Sequence, residues 1–329
     1  MRKPDAHAIE AWVDGLPTAL ALGARRQWWT KCAFRFDDIQ AVASILRTGK
    51  LLSRAECDRQ RIPHRDAANQ QVIAQSAHAQ NVVRLYFRPL TPTQYRMEGV
   101  KARAQLPLTG EHCPVPVFLL FDLKGLLCRP GVSASDGSLA RAGEYRRGDD
   151  AAFLASLPMA EVYHDGYITA PLVKGEIIFR RHAEVFVERE LDLGQLKSIV
   201  CRTAAEQETL LHLLGADAPQ WAAMVTLSPV GRDIFYRHNG HLVKEVRLLD
   251  DAVQFEVARP GGFEYDFVLT ITDAETGVVL VEEAKRKNLS PIWSKACVGL
   301  PSRVEVRLLV DGCLAYHAVV SRQAVFVGR

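Results

Sequence analysis

No run of apolar residues in the 329-residue sequence approaches the eighteen or so that a membrane-crossing helix requires. A stretch such as 115–120 is only strand-sized. The seven cysteines, Cys32, Cys57, Cys113, Cys128, Cys201, Cys297 and Cys313, include no CxxC pair and no metal-ligand spacing. Neither a disulfide framework nor a metal centre is therefore expected, and free thiols fit a reducing compartment. An apolar leader is missing too: the opening MRKPDAHAIEAW puts Asp5, His7 and Glu10 where a secretion signal needs a hydrophobic core. A cytoplasmic protein with no membrane partner is the expectation. Charge of one sign is not in excess, since 41 Lys and Arg against 38 Asp and Glu leave +3, so any nucleic-acid surface must be a local patch. Internal repeats and low-complexity tracts are absent. What is present, 48% hydrophobic and 24% charged residues, is the composition of a folded chain, long enough for about two domains.

Residues 5–30 read as a helical lead-in, with Ile9, Trp12, Val13 and Leu16 at helical spacing. A strand at Ala33–Phe36 runs into a helix from Ile39 to Leu46, with Asp37 and Asp38 as N-cap candidates and Gly49 as its stop. Residues 81–87 and 115–123 are strand-like, 129–150 reads as a Gly- and Arg-rich loop, 176–187 as a strand, and 204–214 as a helix closed by Gly215. Beyond Pro219 the pattern is that of strands. Val253, Phe255 and Val257 alternate with polar residues, as do Phe267, Leu269 and Ile271, and then Val304, Val306, Leu308 and Val310. Turn signals between them predict a small β-sandwich of the immunoglobulin-like kind.

Four constellations could carry chemistry. Arg35 on its strand, ahead of a helix N-terminus, offers a guanidinium fork and free N–H groups to a pyrophosphate, although an exposed strand Arg needs no such role. Arginines interleaved with Tyr86 and Phe87, followed by a Pro-stiffened loop at 89–95, supply cations for phosphates and ring faces for bases; an ordinary strand whose aromatics are core has the same composition. In 180–187, period two puts Arg180, His182, Glu184 and Phe186 on one face, where a carboxylate among basic groups could stabilise a developing cation or form a plain salt bridge. Asp266, followed across a hairpin by Glu283 and Lys285, resembles the metal core of PD-(D/E)xK nucleases, but Tyr265 stands where that motif has Pro, and a charged hairpin edge accounts for the same residues.

Taken together, FRFDDIQAVASILRTGKLLSR (34–54), VRLYFRPLTPTQYRMEG (83–99), CPVPVFLLFD (113–122), SDGSLA (135–140), RRHAEVFV (180–187) and CRTAAEQETLL (201–211) resemble the DarT-type nucleic-acid ADP-ribosyltransferases, in the guanosine-directed branch. The resemblance implies an α+β fold: a split mixed sheet with helices over 28–225, preceded by the lead-in at 1–27 and followed by the all-β domain at 226–329, which lies outside it. It implies NAD as substrate and a base in DNA, guanine favoured, as acceptor, with single-stranded DNA as the partner and RNA as the alternative. A toxin or anti-phage role with an ADP-ribosylglycohydrolase antitoxin is implied as well. By the same carry-over Glu184 is catalytic. Arg35, Asp37, Gly49, Leu52, Ser53, Arg54 and Tyr86 hold NAD, while Arg88, Thr91, Thr93, Gln94, Tyr95, Arg96, Ser135 and Asp136 face the nucleic acid. Arg35, Asp37 and Ala41 stand where the family usually has His, Thr and Asn, which leaves open a protein that binds nucleic acid with a decayed transferase site.

Overall fold

The computed structural model describes residues 1–62, 77–106, 112–141, 143–169, 171–228, 234–236, 242–258, 263–288 and 290–322. Its first part is organised by β-branched and aromatic runs that pair into one mixed sheet. The strands are β1 (Cys32–Asp38), β3 (Val82–Tyr86), β4 (Pro116–Asp122), β5 (Val132–Ser135), β6 (Arg147–Gly148), β7 (Glu184–Glu188), β9 (Leu196–Cys201) and β10 (Val225–Leu227), while the short β2 (Lys50–Leu52) and β8 (Glu190–Asp192) form a separate antiparallel pair. The order is β10-β9-β4-β1-β3-β7-β5-β6. Most neighbours are antiparallel, and β9 and β10 run parallel. Whereas β1 and β4 are in register over their whole length, β1 meets β3 at the single pair Phe34↔Tyr86. The sheet is thus split along a seam, and the candidate site lies on it.

Helices cover the sheet where the sequence caps them. Asp38 accepts from Gln40 N at 3.2 Å to start the helix Ile39–Thr48, and Gly49 closes it at φ +69°, donating to Ile45 O at 3.0 Å. The lead-in helix, Ala6–Ala19, buries Ile9, Val13 and Leu16 in the main core, and Lys3 ties it to the sheet by donating to Val132 O at 2.7 Å.

Two expectations are corrected here. The stretch expected to be a strand from 176 is a helix, Pro171–Arg180, and extended backbone begins only at Glu184, so Arg180 does not share a strand face with Glu184. The apolar residues Ile177, Ile178 and Phe179 fit a helical turn as readily as a strand, and in the helix the Phe179 ring packs against Gly137. The Pro-stiffened loop is also a helix, Pro92–Met97, because Thr91 caps it by accepting from Gln94 N and Pro at the first position needs no N–H partner.

The strand-rich region forms two antiparallel sheets. One comprises β11 (Leu242–Leu248), β12 (Ala252–Ala258) and β15 (Ile292–Ala296); the other comprises β13 (Glu264–Asp273), β14 (Val279–Asn288), β16 (Arg303–Val310) and β17 (Cys313–Ser321), in the order β14-β13-β16-β17. Trp293 of the first sheet stacks on Phe255 at 4.6 Å and meets Phe267 of the second at 5.8 Å, so their apolar rows face one another. The nuclease-like pair comes apart. Asp266 lies opposite Arg286 and Glu283 opposite Leu269, so alternation points the two carboxylates to opposite faces, and Glu283 pairs with Lys285 and Lys295. Residues 234–236 lie against the first part: Phe235 packs on Phe118 at 5.1 Å and Ile234 O accepts from Gln94 Nε2 at 2.8 Å.

Candidate active site

Register places Glu184, the first residue of β7, directly opposite Tyr86 of β3, with Arg84 diagonal to it on the same face. Arg84 grips the carboxylate with both edges of its fork, Nε to Oε2 at 3.0 Å and Nη2 to Oε1 at 2.5 Å. Leu139 N donates to Oε2 at 3.3 Å, and Glu184 N donates to Ser135 Oγ at 3.2 Å, whose hydroxyl donates to Gly137 O at 2.7 Å. Glu184 is 0% exposed under this 135–140 loop. Burial raises its pKa, and Arg84 pulls it back. Burial would likewise drive the proton off Arg84, but Glu184 more than offsets this and holds the guanidinium charged. The net direction for Glu184 is upward, and the two-pronged contact with the charged Arg84 is what holds the carboxyl at the seam.

Across the seam, Arg35 donates through Nη1 to Arg84 O at 3.2 Å, so its guanidinium spans the strands where their backbones part. Asp37, two residues along the same face, takes the other edge, accepting from Nε at 2.6 Å and Nη2 at 2.9 Å. Tyr86 stacks with Phe36 at 6.4 Å and lies 6.4 Å from the ring of His182. The remaining expected cofactor residues follow in the chain, after the helix that β1 leads into. Gly49 ends its helix, Leu52 pairs in β2, and Ser53 caps Arg54–Gln60 by accepting from Glu56 N at 3.3 Å. Arg54, the first residue of that short helix, is half-buried.

The residues expected to face nucleic acid divide sharply. Arg88 is 1% exposed; it donates to Pro89 O at 3.0 Å and Val162 O at 3.3 Å, pairs with Asp165 at 3.1 Å and lies over the Trp29 ring. It is a buried tie between segments, not a solvent-facing cation, and burial lowers its pKa to about 10. Gln94 is equally enclosed, accepting from Leu90 N at 2.7 Å and donating to Glu98 Oε2 at 2.7 Å. Thr91 is spent as a cap. Asp136 is 1% exposed between Arg146, at 2.8 Å, and Arg180, at 2.7 Å, which together hold its carboxyl below the ordinary value although burial opposes them. Ser135 is turned inward on the Glu184 backbone. Only Tyr95, 57% exposed with its ring edge on Tyr236 at 5.1 Å, and Arg96 present themselves outward from this set, with Thr93 half-buried.

Two participants lie in segments that the sequence singled out but were given no role there. Arg84, two residues before Tyr86, is the partner of Glu184, a relation that only strand register reveals. His182 is buried, donates through Nδ1 to Ile178 O at 2.8 Å and so leaves Nε2 to accept from Thr93 Oγ1 at 2.9 Å. Burial pushes its pKa down to about 4, keeping it neutral.

A family model described as "ssDNA thymidine ADP-ribosyltransferase, DarT" matches residues 34–235, a span that contains Arg35, Arg84, Tyr86, His182 and Glu184. No curated protein matches. Among solved structures, Thermus sp. 2.9 DarT in complex with ADP-ribosylated ssDNA is similar at 18% identity and a TM-score of 0.48, covering 63% of this chain and 96% of that one. The same Thermus protein with NAD+ gives 17% and 0.46, covering 63% and 98%. Thermosipho africanus DarTG in complex with ADP-ribose gives 16% and 0.44, covering 61% and 51%.

Proposed function

The chain belongs to the DarT family, whose model spans well over half of its length, and from that premise we propose that it is an NAD-dependent ADP-ribosyltransferase that modifies a base in single-stranded DNA. The observation that carries this reading is the buried Glu184 carboxyl gripped on both oxygens by Arg84 at the seam of the sheet, next to the Arg35 fork. In this reading the glycosidic bond of NAD breaks and nicotinamide leaves with the bonding electrons. The ribose C1′ becomes cationic, a base nitrogen or oxygen adds to it, and the base gives up its proton. A fixed carboxylate a few ångströms from C1′ stabilises that cation. Arg35 keeps one N–H edge partly open toward a pyrophosphate, with Asp37 cancelling much of its charge. Because Leu139 closes over Glu184, the 135–140 loop must yield for the nucleotide to reach the carboxylate. Tyr95 and Arg96 are the stacking face and cation offered to the strand.

We assign catalysis to 28–225, with Ile234–Tyr236 packed onto it, and take the later sheets, as an immunoglobulin-like sandwich, to contact a partner or the DNA. A toxin role neutralised by an ADP-ribosylglycohydrolase fits a DNA-modifying activity. The test is the intact mass of oligonucleotides incubated with protein and NAD. Single-T and single-G oligonucleotides separate thymine, which the family description names, from guanine, which the sequence resemblance favours. An unmodified oligonucleotide in both arms, with NAD still bound, supports the decayed-site reading instead.

A further inference from the structure

Away from the seam, the helix Ala204–Leu214 lies against β17, and three metal-ligating side chains meet where it crosses the β16–β17 pair. Helical spacing puts Glu208, Thr209 and His212 on one face. That face is already docked without any ion: Tyr316 Oη donates to Glu208 at 2.7 Å, and His317 N donates to Thr209 Oγ1 at 3.1 Å. The same contact delivers the His317 imidazole beside Glu305, Nε2 to Oε1 at 2.7 Å, and brings His212 Nε2 to 4.0 Å from that oxygen. The two imidazole centroids are 4.3 Å apart, and one ligand atom from each of the three residues lies within 4.8 Å of the other two. Among the described residues the His212 side chain makes no hydrogen bond, and its contacts in the cluster are the 4.0 Å approach to Glu305 and the tilted ring of His317. Tetrahedral bonds of about 2.0–2.1 Å place ligand atoms about 3.3 Å apart, and the 2.7 and 4.0 Å separations straddle that value. Small side-chain shifts suffice to close the shell.

We propose that His212, Glu305 and His317 bind a divalent transition metal of the zinc type, as a two-His, one-carboxylate site with water in the fourth position. Two neutral imidazoles and a carboxylate are the nitrogen and oxygen set such ions select over calcium or magnesium. The ion pins the family-matched part of the chain, through His212, to the sheet that follows it, so its effect is on how the two parts hold together.

The test uses the full chain with any affinity tag removed. After dialysis against zinc chloride and removal of excess, one zinc per chain is expected. Cobalt in its place should give tetrahedral visible bands without a thiolate charge-transfer band. His212→Gln, on a half-exposed helix position that leaves the docking hydrogen bonds intact, and the nearly isosteric Glu305→Gln should each weaken binding by roughly a hundredfold while circular dichroism is unchanged. Zinc should raise the melting temperature of the wild type and not of these variants. Absence of stoichiometric zinc, binding unaltered in both variants, or a thiolate band pointing to the cysteines would each overturn the site.

Discussion

Arg84 and Glu184 form a two-pronged ion pair, with contacts of 3.0 and 2.5 Å, across strands adjacent in space and a hundred residues apart in sequence. If the carboxylate stabilises charge at the ribose, Glu184→Gln should lower base transfer by about a hundredfold or more. The amide preserves shape and one acceptor but leaves Arg84 without its counter-ion, so a stability loss of about 2–3 kcal/mol is expected in a urea melt, less than a fully buried pair would cost because Arg84 is partly exposed. A folded variant that transfers at the wild-type rate would remove Glu184 from catalysis.

Asp37 competes with any phosphate for Arg35, since it occupies the Nε edge of the fork. Asp37→Asn should therefore tighten NAD binding several-fold, and Arg35→Ala should weaken it by about 2 kcal/mol, the worth of a charge-assisted contact. Calorimetry with NAD decides. Unaltered affinity in both variants would show that this pair only closes the seam.

The two arginines of the 88–96 segment should behave oppositely. Arg88→Ala leaves several interior carbonyls without their donor and removes one of the two arginines paired with Asp165, so it should destabilise by about 3 kcal/mol and change salt-dependent DNA binding only through lost folded protein. Arg96→Ala should leave the melting curve unchanged, weaken binding to single-stranded oligonucleotides of every sequence and reduce the salt slope by about 1. The reverse pattern would place Arg88, not Arg96, at the DNA.

Stability should depend on pH through His182. Its folded pKa is depressed to about 4 from 6.5, so its contribution is complete above about 6.5 and is lost as pH falls toward 4, by about 3 kcal/mol in all. Glu206, buried and raised to about 7, works the other way, losing its contribution as pH rises from the ordinary carboxyl range toward 7. The difference between wild type and His182→Gln isolates the histidine. If denaturant midpoints of the two fall in parallel between pH 7 and pH 4.5, His182 does not carry this dependence.

The sequence by itself determined the local elements whose causes are local. Asp38 and Gly49 bracket one helix, Gly215 closes another, and alternation marks Val253–Val257, Phe267–Ile271 and Val304–Val310 as strands. It also singled out Glu184 and Arg35 as chemistry-bearing groups. Where period two and a helical turn fit the same short apolar run, as at 176–187, the pattern alone misassigned the helix, because packing against Gly137 arbitrates and packing is not local. Tertiary structure alone decided which polar residues face outward: Arg88, Gln94 and Asp136 look like surface groups by composition, yet each is buried because distant carbonyls or counter-charges satisfy it. The pairing of Arg84 with Glu184 and the meeting of His212 with Glu305 and His317 likewise depend on strand register and helix docking. Both bring together side chains far apart in the chain, and no spacing rule encodes them.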